Sequence, residues 1–174
     1  ELLLALVRTP SSSGSEGAAA EVLAGWVRRA GLVVERDDAA VRITVDSGRP
    51  GPTLLLASHL DTVPAGEGWT VAPLEGFVAG GRLVARGAAD AKGSVAAMAA
   101  AAAERASGSG PPAGRLVVLA TYSEETRDTT MPEALRRLPW RPDAAVVGEP
   151  TSLQPCVAQR GQLLSHRVEL LGHP

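Results

Sequence analysis

The sequence predicts an α/β domain: a mostly parallel β-sheet with helices on both faces. Three observations lead there. The short unbroken apolar runs "TLLLAS", "RLVVLATY" and "DAAVVG" have the character of strands buried on both faces. Alanine-rich or amphipathic stretches of helical length alternate with them, as βαβ units require. The connections between them carry Gly and Pro clusters such as "SGRPGP" and "SGSGPPAG".

The elements follow in order. "ELLLALVR" reads as a short helix, and the polar breaker "TPSSSGSEG" is expected to supply the N-cap of the next. In that second helix Ala19, Val22, Leu23, Trp26, Val27 and Ala30 recur at i, i+3, i+4, i+7, i+8 and i+11. They form one apolar face, closed by Arg28 and Arg29 in the last turn and by Gly31 after it. "LVVER" and "VRITVDS" read as strands around the turn-prone "DDAA", and "TLLLAS" as a buried strand. "AGEGWTVAPLEGFVAGG" reads as a long connection leading to the short strand "RLVAR". "DAKGSVAAMAAAAAERA" has the alanine content of a helix, and "MPEALRRL" is a short helix between the last two buried strands. "QLLSHRVELLGHP" reads as one further strand ending on a turn.

A chain of 174 residues can bury one sizeable core. Its net charge of −2 offers no basic footprint for nucleic acid or an anionic membrane surface. The longest apolar run is too short and alanine-rich to cross a bilayer, and no secretory leader is expected, since no basic stretch followed by an apolar one is read from Glu1 onwards. The lone Cys156 cannot form an internal disulfide, so a reducing, cytoplasmic setting is the expectation.

The chemistry-bearing residues fall immediately after the buried strands. His59 and Asp61 follow "TLLLAS", Asp90 follows "RLVAR" and a tight "GAA", Glu124 and Glu125 follow "RLVVLATY", and Glu149 follows "DAAVVG". In an open α/β sheet such ends share one edge, where ligands bind. Converging carboxylates repel unless some are protonated or a cation neutralises them. Only Arg86 and Lys92 lie near in sequence, and both read as structural. One or two divalent cations would serve directly, and carboxylates with a neutral imidazole suit zinc, with cobalt or manganese as alternatives. Other motifs fail on spacing. Lys92 precedes Gly93, the reverse of a P-loop, and Ser58, His59 and Asp61 are too close along one segment to fold into a nucleophilic triad.

Taken together, "SHLDTVP", "ARGAADAKGSVAAM", "SEE" and "GEPT" resemble, in order and interval, the M20-type zinc amidohydrolases. That group includes acetylornithine deacetylase, succinyl-diaminopimelate desuccinylase, aminoacylase and carboxypeptidase G. The resemblance implies a zinc-exopeptidase-like catalytic domain over 1–161, with 162–174 opening an α+β lid or dimerisation domain. It implies two divalent metals. His59 and Glu149 would bind one, Asp90 would bridge both, and Glu125 would bind the second. Asp61 would orient the His59 imidazole, and Glu124 would be the general base towards a metal-activated water. The last metal-binding histidine and most of the lid are expected beyond this chain, the lid histidine being either His173 or a residue just past Pro174 that leaves His173 a spacer, so the chain by itself is expected to be weakly active or inactive.

The family has aspartate where Ser123 stands, and glycines in place of part of "TRDTT". The expected activity is hydrolysis of an N-acyl amino acid amide, N-acetylornithine foremost, in amino-acid biosynthesis. Dipeptidase, carboxypeptidase and desuccinylase readings carry the same motifs. The expected partner is a small N-acyl amino acid or short peptide, not nucleic acid or membrane, with a homodimer for the full-length protein. A reading from a different class is a non-catalytic binding protein on the same scaffold; retention of both Glu124 and Glu125 speaks against it.

Overall fold

The computed structural model describes residues 1–108, 112–127 and 130–158. The strand expected over 162–174, and with it His166, His173 and the proposed start of a lid, lies outside the described residues. Helices α1 (Leu2–Arg8) and α2 (Gly17–Arg29) open the chain. Strands β1 (Val33–Arg36), β2 (Ala40–Asp46) and β3 (Thr53–His59) follow. A small antiparallel hairpin comes next, β4 (Phe77–Ala79) with β5 (Arg82–Val84). A tight turn over Ala88–Lys92 then leads into helix α3 (Gly93–Ser107). Strand β6 (Arg115–Thr121), helices α4 (Glu124–Arg127) and α5 (Thr130–Arg136), and strand β7 (Ala144–Val147) complete the described part.

The five-stranded sheet has the order β1-β2-β6-β3-β7. β3 lies parallel to both β6 and β7, while β2 runs antiparallel to β1 and β6. Four of the five strands therefore point one way, and β2 alone is reversed. The reason is local. The short "DDA" turn between β1 and β2 is a hairpin connection, which only an antiparallel pair can close. The parallel strands instead cross over through helices: α3 joins β3 to β6, and α5 joins β6 to β7.

Those crossovers cover opposite faces. Leu6, Leu23, Val27, Val95, Ala99 and Ala102 of α1, α2 and α3 pack with Val41, Ile43, Leu116 and Val118 on one face. Ala134 of α5 packs with Leu55, Ala57, Val117 and Leu119 on the other, joined by Met131 and Trp140. Alternate residues of β6 thus serve opposite cores, as a strand of period two buried on both faces must. Trp26 packs against the first core from its partly buried position on α2.

The structure corrects three details of the sequence reading. The connection over 65–81 contains β4, an exposed strand too short for periodicity to reveal. The helix expected from Asp90 begins at Gly93, because Asp90 and Ala91 leave helical geometry within the turn. Glu16 occupies the N-cap position of α2, yet its side chain makes no capping bond to that helix.

Ile43, fully buried at the centre of β2, tests this packing. Ile43→Ala should cost about 2–5 kcal/mol of stability, read as a lower denaturant midpoint with an unchanged slope.

Candidate metal centre

Parallel register assembles the site. His59 is paired with Thr121, and Ala57 with Val147. Two residues beyond each of Ala57 and Val147 stand His59 and Glu149, so both emerge level at the same edge. Glu124 and Glu125 come three and four residues after Thr121. The Gly148 amide bonds to the Ala57 carbonyl at 2.8 Å, and the Ser58 hydroxyl bonds to the Gly148 carbonyl at 2.8 Å. A Cβ on Gly148 would lie 2.6 Å from both Met98 Cε and Ser94 Cβ, so only glycine allows β7 this close to α3.

Asp90 arrives from the turn after β5. Gly87, at φ 79°, starts that turn in the left-handed region. Lys92 secures its far end. Its side chain is buried, and the ammonium donates to the carbonyls of Leu6 and Thr9, each at 2.9 Å. These carbonyls lie at the C-terminus of α1, where a cation is favoured. Burial lowers the Lys92 pKa to about 8. Arg86 lies over the Trp69 ring at 5.3 Å and shares the Ala65 carbonyl with the indole N–H. The two nearby cations thus hold loops.

All the expected site residues come together. His59 Nε2 lies 3.1 Å from Asp90 Oδ1 and 3.9 Å from both Glu124 Oε2 and Glu149 Oε1. One ligand atom each from His59, Asp90 and Glu125 falls within 4.8 Å of the others. Beside this polar group a cleft of about 280 Å3 is lined by Leu55, Ala57, Met131, Ala145 and Val147, along with His59, Glu124 and Glu149. A larger groove of about 620 Å3, along Arg8, Leu74 and Phe77, contains none of these ionisable residues.

Asp61 organises the ligands from behind. Its Oδ1 lies 3.2 Å from His59 Nδ1 and accepts the Glu124 amide at 3.1 Å. Its Oδ2 accepts the Ser13 hydroxyl at 2.7 Å and the Glu125 amide at 3.0 Å. Burial alone would raise the Asp61 pKa, but the bonds from His59, Ser13 and the two amides outweigh it and lower the value to about 2. A proton held on His59 Nδ1 by this carboxylate leaves Nε2 as the metal-facing atom.

The electrostatics of the site follow from its crowded carboxylates. Burial pushes Glu125 and Glu149 above the ordinary carboxylate range, and the charge of Asp90 pushes both further; on Glu149 Glu124 and Glu125 add to this. Burial by itself would lower His59, yet the Asp61 bond and the surrounding negative charges raise it to about 9. Without a cation the imidazole is therefore itself the counter-ion. An imidazole and carboxylates gathered within 4.8 Å of one another are the donor types that zinc takes.

Ser13 and Glu16 are partners that the sequence reading missed, and Ser123, which it noted only as a departure from the family's aspartate, is bound to Glu16. Glu16 Oε1 accepts the Ser123 amide at 2.8 Å and the Ser123 hydroxyl at 3.3 Å. Ser123 has φ 55°, a conformation that costs a non-glycine residue about 1–2 kcal/mol. No local signal marks Ser13 or Glu16, since the contacts join segments about a hundred residues apart in the case of Glu16 and Ser123, |i−j| being 107.

If zinc binds at His59 Nε2, its binding near pH 7, where this imidazole is protonated, should release about one proton from it. Calorimetry in buffers of different ionisation enthalpy reads this directly. The affinity should weaken about tenfold for each pH unit below about 9.

Comparison with known proteins agrees with the geometry. Residues 55–162, more than half of the chain, match Peptidase family M20/M25/M40. The chain is 38% identical over 167 residues to the succinyl-diaminopimelate desuccinylase of Methylorubrum extorquens (strain PA1), covering 87% of this chain and 43% of that protein. It is 43% identical over 113 residues to the protein of the same name from Rhodospirillum centenum, covering 60% and 29%. The chain thus spans less than half the length of these curated relatives. Among solved structures, an M20 family metallo-carboxypeptidase from Sulfolobus solfataricus superposes with a TM-score of 0.74 at 21% identity, over 84% of this chain and 36% of that one. Human carnosine dipeptidase 1 gives 0.64 at 24% identity, over 76% and 33%. The mixed sheet, with four strands running alike and the candidate ligands at their shared edge, is thus a fold found in M20 peptidases, and the chain belongs to the M20 peptidase family.

Proposed function

We propose that the protein containing this chain is a metal-dependent hydrolase of N-acyl amino acid amides. The observation that carries the reading is the convergence of His59, Asp90, Glu124, Glu125 and Glu149 at one sheet edge, with Asp61 behind them. In this reading His59, Asp90, Glu125 and Glu149 hold two divalent ions. Such ions, when bound, polarise the amide carbonyl and acidify water.

The chain's own residues supply the rest. Asp61 fixes the His59 ring and the backbone of the Glu124–Glu125 turn. Glu124, whose Oε2 lies 3.9 Å from His59 Nε2, is read as the base rather than as a metal-binding residue. As general base it removes a proton from the attacking water while the new C–O bond forms. It then delivers that proton to the amine nitrogen as the C–N bond breaks, leaving a carboxylate and a free amino acid.

For the acyl group, an N-succinyl substrate is favoured over the N-acetylornithine expected from the sequence alone. The support is the name of the relatives, succinyl-diaminopimelate desuccinylase, at 38% and 43% identity. The zinc-loaded protein should hydrolyse N-succinyl-diaminopimelate faster than N-acetylornithine or a dipeptide. Faster turnover of either competitor would reassign the substrate. A folded, metal-loaded protein that cleaves none of the three would instead be a binding protein on this scaffold.

Glu124→Gln should keep its zinc while kcat falls about 100-fold or more. Metal analysis and steady-state kinetics on the same preparation separate the two effects. Loss of zinc together with activity would make Glu124 a ligand instead.

A further inference from the structure

The amides of Ser123, Glu124 and Glu125 are three successive backbone donors, and each one ends on a carboxylate buried behind the site. Asp61 takes the second and third at 3.1 and 3.0 Å, and Glu16 takes the first at 2.8 Å. Glu16 is 5% exposed and sits at the N-cap position of α2. An N-cap side chain ordinarily accepts from its own helix, but this one turns away. Its Oε1 accepts from Gly14 N at 2.8 Å and from both donors of Ser123.

We propose that Glu16 is a positioning residue of the hydrolytic site, acting on Glu124 and Glu125 through the backbone of Ser123. The proposal rests on the hydrolase reading above. Ser123 stands immediately before the general base with a left-handed φ of 55°, a conformation that L-residues adopt reluctantly. The bond from Glu16 holds that residue where it is, and so sets the direction in which the next two side chains leave the backbone.

The segment that carries Glu16 is itself fastened to the strand-end loop. Ser11 Oγ donates to the Leu60 carbonyl at 2.8 Å, the Thr62 amide to the Ser11 carbonyl at 2.9 Å, and Ser13 Oγ to Asp61 at 2.7 Å. Residues 11–16 therefore form a brace between the loop after β3 and the turn after β6. The Ser123 hydroxyl adds a second donor to the same Glu16 oxygen at 3.3 Å.

The test compares Glu16→Ala, Glu16→Asp and Glu16→Gln in the protein that contains this chain. Each is measured by zinc titration and by hydrolysis of N-succinyl-diaminopimelate. Glu16→Ala should lower kcat about 10–100-fold, with KM within about twofold, and weaken zinc binding about tenfold through Glu125. Glu16→Gln keeps an acceptor oxygen in place and should restore both to within about threefold of wild type.

If Glu16 serves folding alone, Glu16→Ala lowers the melting temperature while each folded, zinc-loaded molecule keeps its wild-type kcat and zinc affinity. That outcome overturns the proposal. Should Glu16→Ala fail to fold, Glu16→Asp withdraws the acceptor by one methylene and should show the same losses; wild-type values in it would equally overturn the proposal. If the wild-type protein binds zinc but hydrolyses nothing, the hydrolase reading fails and the brace is judged on zinc affinity. Weaker binding by Glu16→Ala than by Glu16→Gln then supports it, and equal binding sinks it.

Discussion

The carboxylate of Asp61 is the point on which the candidate site depends. A buried charge is expensive unless every lone pair finds a donor. Asp61, fully buried, meets that condition with the His59 ring, the Ser13 hydroxyl and two successive amides. The same bonds join three distant parts of the chain: the N-terminal polar loop, the end of β3 and the turn after β6. An anion held this firmly in its ionised form orients an imidazole, and it also caps the first turn of α4. The geometry of the ligands and the satisfaction of one buried charge are therefore a single requirement.

The sheet makes that requirement possible. Because β3 is central among the three parallel strands, its end has β6 on one side and β7 on the other. Crossovers through α3 and α5 bury opposite faces and return each strand in the same direction, so side chains from three connections meet at one edge. The reversed β2 lies beyond β6, away from β7, and contributes core residues rather than ligands. Close approach of Gly148 to Met98 and Ser94 shows how little slack the packing leaves around Glu149.

Charges removed from the chemistry keep these loops in place. The Lys92 ammonium is buried against the last carbonyls of α1 and pulls the turn bearing Asp90 onto the N-terminal helix. Arg86 stacks on Trp69 and fixes the connection after the proline at 64. Neither cation neutralises the acidic cluster. The negative charge of Asp61, Glu149 and Glu124 falls on the His59 imidazole instead.

Much of this was legible in the sequence. Apolar runs without polar alternation make "TLLLAS", "RLVVLATY" and "DAAVVG" stand out, although β7 of the last run is exposed along its length rather than buried, and alanine-rich helices between them imply parallel crossovers. His59, Asp61, Glu124 and Glu125 could be picked because ionisable residues directly after buried strands are conspicuous; Asp90 and Glu149 were picked on the same ground, yet β5 and β7 are mostly exposed and β5 lies outside the main sheet. The exposed three-residue strand β4 left no such pattern. The reversal of β2 was readable only as a short turn, and its placement against β6 depended on which strand the α3 crossover delivered. Only a helix cap was read in the polar segment "TPSSSGSEG" that carries Glu16, because capping is a local rule. The actual partner of Glu16, Ser123, is brought to it only by the folded chain. What the sequence by itself determined is the elements and the kinds of residue at their ends, since periodicity and residue chemistry are local. What the tertiary structure alone decided is which distant donor satisfies which buried carboxylate, since that depends on contacts no local spacing encodes.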